Sequence, residues 1–323
     1  SDNTACALLW GWCDYLRGRY AEAQRWLDIS LAVAPEDFDP MVATPLRINV
    51  ALGRGDVALA LELARTVTAT GELSVRPAEL ATAVGAAYAW AGLAAEARDV
   101  LGLAAVRATQ ERRLTAHTMS LVSMAIIELE DGDVATAHGA AVTALSTAQA
   151  FGLAGYHGVA PAFAVRARTS PDPQQAHDDA LHSVELARRA TTDLGRAFVF
   201  TTAGATLLGL GDDSGLALIT EARAIIDRCV DPGVAGSTLR RAEGKFDVVR
   251  PAMAPRPELV EQLTDRERSV LLLLPSQMTL REIAAELYVS LNTAKTHCSA
   301  IYRKLGVTDR KSAVQEARRV RVL

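Results

Sequence analysis

A short pattern recurs along most of this chain and restricts its fold more than any other feature. Gly18-Arg19-Tyr20-Ala21-Glu22-Ala23 is followed by Trp26-Leu27, Ala32 and Pro35. Weaker copies begin at Gly55-Asp56-Val57-Ala58-Leu59-Ala60, Gly92-Leu93-Ala94-Ala95-Glu96-Ala97 and Gly132-Asp133-Val134-Ala135-Thr136-Ala137. Degenerate ones lie near Asp172-Pro173-Gln174-Gln175-Ala176 and at Gly211-Asp212, so the clear glycines are spaced by 37, 37, 40 and 79 residues. A period in this range signals stacked supersecondary units. In each unit the glycine ends one helix in a left-handed cap, the chain turns, and a second helix packs back on the first. Alanines at the crossings let the helix axes approach closely. Each hairpin leaves an apolar face that only the next hairpin covers, so the units are expected to stack into an α-solenoid. An irregular helical bundle is the alternative.

Nothing before Pro251 alternates with period two, so helices are expected throughout that region. The unit resembles the tetratricopeptide repeat, whose second helix opens on Gly-Asp-Tyr-x-x-Ala, most closely matched at Gly18. The copies here are longer than the usual length of about 34 residues, and the family's proline stands clearly only at Pro35.

Half of the 323 residues are hydrophobic and 22% are charged. That balance supports packed cores and excludes a disordered tail, a collagen-like fibre and a small disulfide scaffold. No uninterrupted apolar run reaches about 18 residues, and no basic segment followed by an apolar stretch opens the chain, so neither a membrane span nor secretion is expected. The chain opens on Ser1-Asp2-Asn3 without Met, and the first helix, with Trp10 and Trp12, would expose apolar surface that a capping repeat normally hides. Further sequence upstream is expected. Cys6, Cys13, Cys229 and Cys298 have no metal-ligand spacing and are expected to be reduced, as in a cytoplasmic protein. The net charge of −4 conceals a division: 12 basic against 8 acidic residues from Arg256 onward, and the remaining acidic excess before it. A basic C-terminal piece on an acidic body points to a polyanion-binding module.

Three regions follow: helical repeats over 1–246, a proline-containing linker over 247–262 with Pro251, Pro255 and Pro257, and a C-terminal domain over 263–323. The last is punctuated sharply. Thr264 and Glu267 form a capping box opening a helix through Val270, Leu271 and Leu274, closed by Pro275. A second box at Thr279 and Glu282 carries a hydrophobic staple between Met278 and Ile283. After Ala284 and Leu287, Tyr288-Val289 turns the chain, and Ser290 caps a third helix that ends at Leu305 before Gly306. A fourth spans Asp309 to Val320. Helix, short turn, helix is the helix-turn-helix plan.

Advancing about 100° per residue along the third helix puts Cys298, Ile301 and Leu305 within about 40° of Ala294, a buried stripe. Asn292, Lys295, Thr296, Ser299 and Arg303 fall on the opposite face, at about 100° to 200°, with Thr293, His297 and Lys304 flanking them. No Asp or Glu occurs from Leu287 through Thr308. A helix that lies against phosphates excludes acids in this way, whereas a merely solvated helix mixes signs.

The run Leu263-Thr264-x-Arg266-Glu267, Glu282-Ile283-Ala284, Val289-Ser290-x-x-Thr293-x-Lys295-x-His297, Ile301-Tyr302-x-Lys304-Leu305-Gly306-Val307, then Arg310 and Ala313-Val314, resembles the LuxR-type DNA-binding domain over nearly all of 263–317. Ala294 stands where that family usually has Val and Cys298 where it usually has Leu, and both shrink the buried stripe. The resemblance implies an all-α fold, a solenoid of repeat hairpins followed by a four-helix domain whose third helix, about 291–305, enters the major groove. It implies that Lys295, Thr296 and Ser299 face base edges, while Asn292, Thr293, His297, Arg303, Lys304 and Arg310 sit at the backbone or flank. Tyr302, at the edge of the buried stripe, is expected to pack rather than to stack on a base. Helix 309–320 would pair two copies as a homodimer over an inverted repeat in double-stranded DNA.

Repeats ahead of such a domain are similar to the large ATP-binding LuxR-type regulators related to the maltose activator. There the solenoid binds an effector and a nucleotidase domain precedes it. No Gly-x-x-x-x-Gly-Lys-Ser/Thr is present here, so a nucleotidase would lie upstream of Ser1 and no cofactor is expected in this chain. The expectation is therefore a cytoplasmic, nucleoid-associated transcription regulator, not an enzyme, with RNA polymerase as a further partner. The alternative is a solenoid scaffold whose helix-turn-helix serves dimerisation or protein docking.

Overall fold

In the computed structural model the described residues are 2–190, 192–246, 264–274, 278–287, 289–305, 307 and 309–319. The linker 247–262, and with it Leu263, Pro275, Tyr288, Gly306 and Val320 named above, lies outside them. The chain divides into two units, 1–248 and 249–323. Among the described residues the fold is all helical, apart from short turns of 3-10 helix and one isolated backbone bridge.

Unit 1 is a row of antiparallel hairpins: α1 (Asp2–Leu16) with α2 (Tyr20–Ala32), α3 (Thr44–Gly53) with α4 (Val57–Ala69), and α5 (Ala78–Trp90) with α6 (Ala94–Gln110). Then come α7 (Leu114–Asp131) with α8 (Val134–Ala150), α9 (Ala160–Thr169) with α10 (Pro173–Ala190), α11 (Asp193–Gly209) with α12 (Ser214–Ile226), and a final α13 (Gly233–Lys245). The first helix of each hairpin packs on the first helix of the next, which is the stacking expected of repeats. Gly18, Gly55, Gly92, Gly132 and Gly211 all have positive φ, between 72° and 92°. Each therefore ends a helix in the conformation that glycine adopts without a Cβ clash. Alanines fill the crossings: Ala23, Ala60, Ala97, Ala137 and Ala141 are fully buried.

The row also closes on itself. Helix α11 is buried along almost its whole length, from Leu194 to Leu207, and touches α3 as well as α9, α10, α12 and α13. A helix apolar all round must be enclosed on every side, and Phe198 and Trp90 meet in a T-shaped pair at 5.9 Å between ring centroids. The α12–α13 connection docks on the turns of earlier hairpins. Val57 N–H donates to Asp231 O at 3.1 Å and Asp231 N–H to Gly55 O at 2.9 Å. A Cβ on Gly55 would lie 2.4 Å from Cys229 Sγ, and one on Gly233 only 2.2 Å from Trp90 O. Arg241 of α13 pairs with Glu130 of α7, and His157 reaches Leu16 O at 3.2 Å. Contacts between early and late hairpins thus add to those between successive ones.

Unit 2 comprises α14 (Asp265–Leu273), α15 (Leu280–Glu286), α16 (Leu291–Leu305) and α17 (Arg310–Arg319) around one small core. Among the described residues of both units, no helix is long and apolar enough to cross a membrane.

Closure of unit 1 is testable at its glycines. Gly71 has φ 70° with open space around it, whereas Gly233 has φ 47° and backbone against it. Gly71→Ala should cost about 1 kcal/mol from left-handed strain alone, and Gly233→Ala about 3 kcal/mol because overpacking adds to that strain. Urea unfolding of the two variants checks the difference; equal losses would mean that the α12–α13 connection does not seat against Trp90.

Candidate nucleic-acid interface

Each helix among the described residues of unit 2 starts on a side-chain cap. Thr264 Oγ1 accepts from Glu267 N–H at 3.3 Å while the Glu267 carboxylate accepts from Thr264 N–H at 2.7 Å, and Thr279 and Glu282 repeat the arrangement. Ser290 Oγ accepts from Thr293 N–H at 3.1 Å, and Asp309 Oδ1 from Ser312 N–H at 2.9 Å. Such caps satisfy amide groups that a short helix cannot pair internally. They fix where α16 begins, and so which of its residues face outward.

The buried stripe of α16 matches the helical geometry read from the sequence. Ala294 and Ile301 are fully buried, Cys298 and Leu305 nearly so, packed with Val270, Leu271, Leu274, Ile283, Ala313 and Ala317. Tyr302 is half-buried against the same core. Burial raises the thiol pKa of Cys298 and the phenol pKa of Tyr302. Helix α15 meets α16 across a tight turn in which Val289 N–H donates to Ala284 O at 2.9 Å.

On the other side of α16, Thr293, Lys295, Thr296, Ser299 and Arg303 are exposed together and His297 is half-buried beside them. Asn292 belongs to α16, but its side chain lies outside the described residues. The face is one helical strip of hydroxyls and cations with no carboxylate.

Two residues expected on the phosphate flank are placed elsewhere. Lys304 is turned inward: its Nζ donates to Glu267 Oε2 at 2.8 Å, and both side chains are less than a tenth exposed. Position 304 borders the buried stripe, and the four-carbon stem carries the ammonium under it to the carboxylate that caps α14. Arg310 acts as an internal clamp. Its Nε donates to Leu274 O at 2.8 Å and its Nη1 to Met278 O at 2.6 Å, tying the start of α17 to the end of α14 and the approach to α15. Sequence reasoning missed both roles. The available signal was the acid-free stretch 287–308 itself, which obliges a lysine at the border of the buried stripe to find its carboxylate on another helix.

Glu267 thus serves as cap and counter-ion at once. Burial pushes its carboxyl pKa up, but the Lys304 ammonium and the Thr264 donors outweigh this and hold it below the ordinary carboxylate range. A depressed folded pKa stabilises at pH values above the unfolded one, and the contribution fades as pH falls through the folded value.

Comparison with known proteins places this geometry. Residues 261–317 match the family model described as bacterial regulatory proteins, luxR family. The chain is 51% identical over 61 residues to the probable transcriptional regulatory protein NarL of Mycobacterium tuberculosis, covering 19% of this chain and 28% of that protein. It is 37% identical over 112 residues to the response regulator protein VraR of Staphylococcus aureus, covering 33% of this chain and 50% of that one. The chain therefore spans no more than half the length of these relatives.

Lys304→Met should destabilise unit 2 by about 3 kcal/mol, because it leaves Glu267 charged and unpaired in a buried site. Adding Glu267→Gln, which keeps an acceptor for the cap, should recover part of that loss. The gap between Lys304→Met and the unchanged chain should narrow as pH falls from the ordinary carboxylate range through the depressed folded value of Glu267. Urea unfolding at pH 7 and along an acid titration measures all three; a neutral Lys304→Met would mean that the ion pair does not stabilise unit 2. The C-terminal unit thus carries a match to the luxR family of bacterial regulatory proteins, with α15 and α16 in the helix-turn-helix arrangement.

Proposed function

We propose that this chain is a sequence-specific DNA-binding transcription regulator. Its third C-terminal helix reads the major groove, and its helical repeats bind an effector or partner. One observation carries the reading: on a luxR-family domain, α16 presents Lys295, Thr296, Ser299 and Arg303 on one exposed strip that no carboxylate interrupts. A cationic strip with hydroxyls suits both phosphates and base edges, the division by which backbone contacts fix register and base contacts specify. In this reading Lys295, Thr296 and Ser299 face bases, and Asn292, Thr293, His297 and Arg303 lie along the flank. Lys304 and Arg310 hold the helix in place rather than touching DNA. A homodimer through α17 on an inverted repeat, a cytoplasmic location and a non-enzymatic role complete the proposal.

Lys295→Ala and Thr296→Ala should each weaken binding to a cognate duplex by about 1–3 kcal/mol and relax preference at the bases they face. Lys295→Ala should leave unfolding unchanged, since its side chain is exposed. Fluorescence anisotropy on a labelled duplex, with the unfolding control, checks this; unchanged affinity and preference in both variants would move the reading face elsewhere. The slope of log affinity against log salt should be about −0.9 for each phosphate contact.

A further inference from the structure

Unit 1 holds a partly open cavity of about 810 Å³, lined by its first four hairpins, the α8–α9 connection, the start of α9 and the start of α11. That volume lies in the range of small-molecule sites, about 300–1,000 Å³. The walls are aromatic and aliphatic, with Trp12, Tyr15, Leu80, Trp90, Met119 and Ile126 among them. Its lining charges are uneven: Arg76, Arg112 and Arg113 against Glu79. Arg76 is held by Asp39 and Glu72, and Arg113 leans on Glu79 at 3.4 Å. Arg112 is exposed and has no ion-pair partner among the described residues.

Arg112 is also the one described non-glycine residue with positive φ, 56°. It lies in the connection between the third and fourth hairpins, at the helix-end position that Gly71 and Gly152 take in the equivalent connections. Arg112 N–H donates to Thr109 O at 3.2 Å and Arg113 N–H to Ala108 O at 2.7 Å, just as Gly92 N–H donates to Ala89 O and Leu93 N–H to Tyr88 O. A side chain in left-handed backbone is strained, and such strain gathers at ligand sites. Here the strained residue is the unpaired cation on the cavity lining.

We propose that the cavity takes an amphipathic organic anion, its apolar body against Trp12, Trp90 and Met119 and its anionic end at Arg112 and Arg113. The proposal rests on the reading of the repeats as the effector-binding part and adds the chemical class of effector.

The test titrates the full chain with decanoate and with decan-1-ol, which share a tail and differ in charge, followed by tryptophan fluorescence and calorimetry. Decanoate should bind at least tenfold more tightly than the alcohol. Arg112→Gly should narrow that gap at least threefold, and Arg112→Gly with Arg113→Ala should close it, with the alcohol's affinity held within twofold. Because glycine relieves the left-handed strain, the Tm of Arg112→Gly should equal or exceed that of the unchanged chain, so a lost preference would not reflect misfolding. Equal affinity for acid and alcohol, or an unaltered gap in the double variant, would overturn the anion assignment and leave an effector cavity standing. Binding of neither compound up to its solubility limit would overturn the cavity as an effector site as well.

Discussion

Helices that touch through alanine and glycine hold the larger unit of this protein together. With Ala23, Ala60, Ala64, Ala97, Ala104, Ala137 and Ala144 fully buried at the crossings, each hairpin is thin and brings little apolar volume to its own stability. Stability then comes from repetition and closure. One enclosed helix, α11, binds early and late hairpins into one body, and the glycine turns at 55 and 92 are both hairpin ends and the seat for the α12–α13 connection. The large side chains divide between two tasks. Phe198, Phe200, Leu101 and Ile127 fill the core, while Trp12, Trp90 and Met119 also line the space left in it.

The smaller unit meets the opposite difficulty. Its helices are short and its core is few in residues, so it depends on capped starts and on polar groups that reach between helices. Glu267 caps α14 and neutralises Lys304 of α16; Arg310 of α17 holds two carbonyls near the ends of α14 and α15. These contacts set the rotation of α16 about its axis, and that rotation decides which residues face out. The exposed strip of Lys295, Thr296, Ser299 and Arg303 follows from charges that are turned inward.

Much of this was legible in the residues. The glycine spacing located the hairpin turns, and every one of those glycines is left-handed. Helical geometry on α16 separated Ala294, Cys298, Ile301 and Leu305 from the exposed strip, and both capping boxes were plain in the spacing of Thr and Glu. What escaped had its cause far away in the chain. Nothing local to Gly233 announces that the carbonyl of Trp90 lies against it. The charge-free run from Ala197 to Leu210 does signal an enclosed helix, but not which helices enclose it. Lys304 and Arg310 looked like phosphate contacts because a cation beside a cationic strip resembles one until its partner is known. Arg112 stood out only once its backbone angle revealed a glycine position.

If the exposed strip of α16 reads DNA sequence, random duplexes selected with the full chain at two salt concentrations will yield an enriched inverted repeat, bound by two copies of the chain, with affinity falling steeply as salt rises. Enrichment of no sequence, together with absence of duplex binding even at low salt, would contradict it.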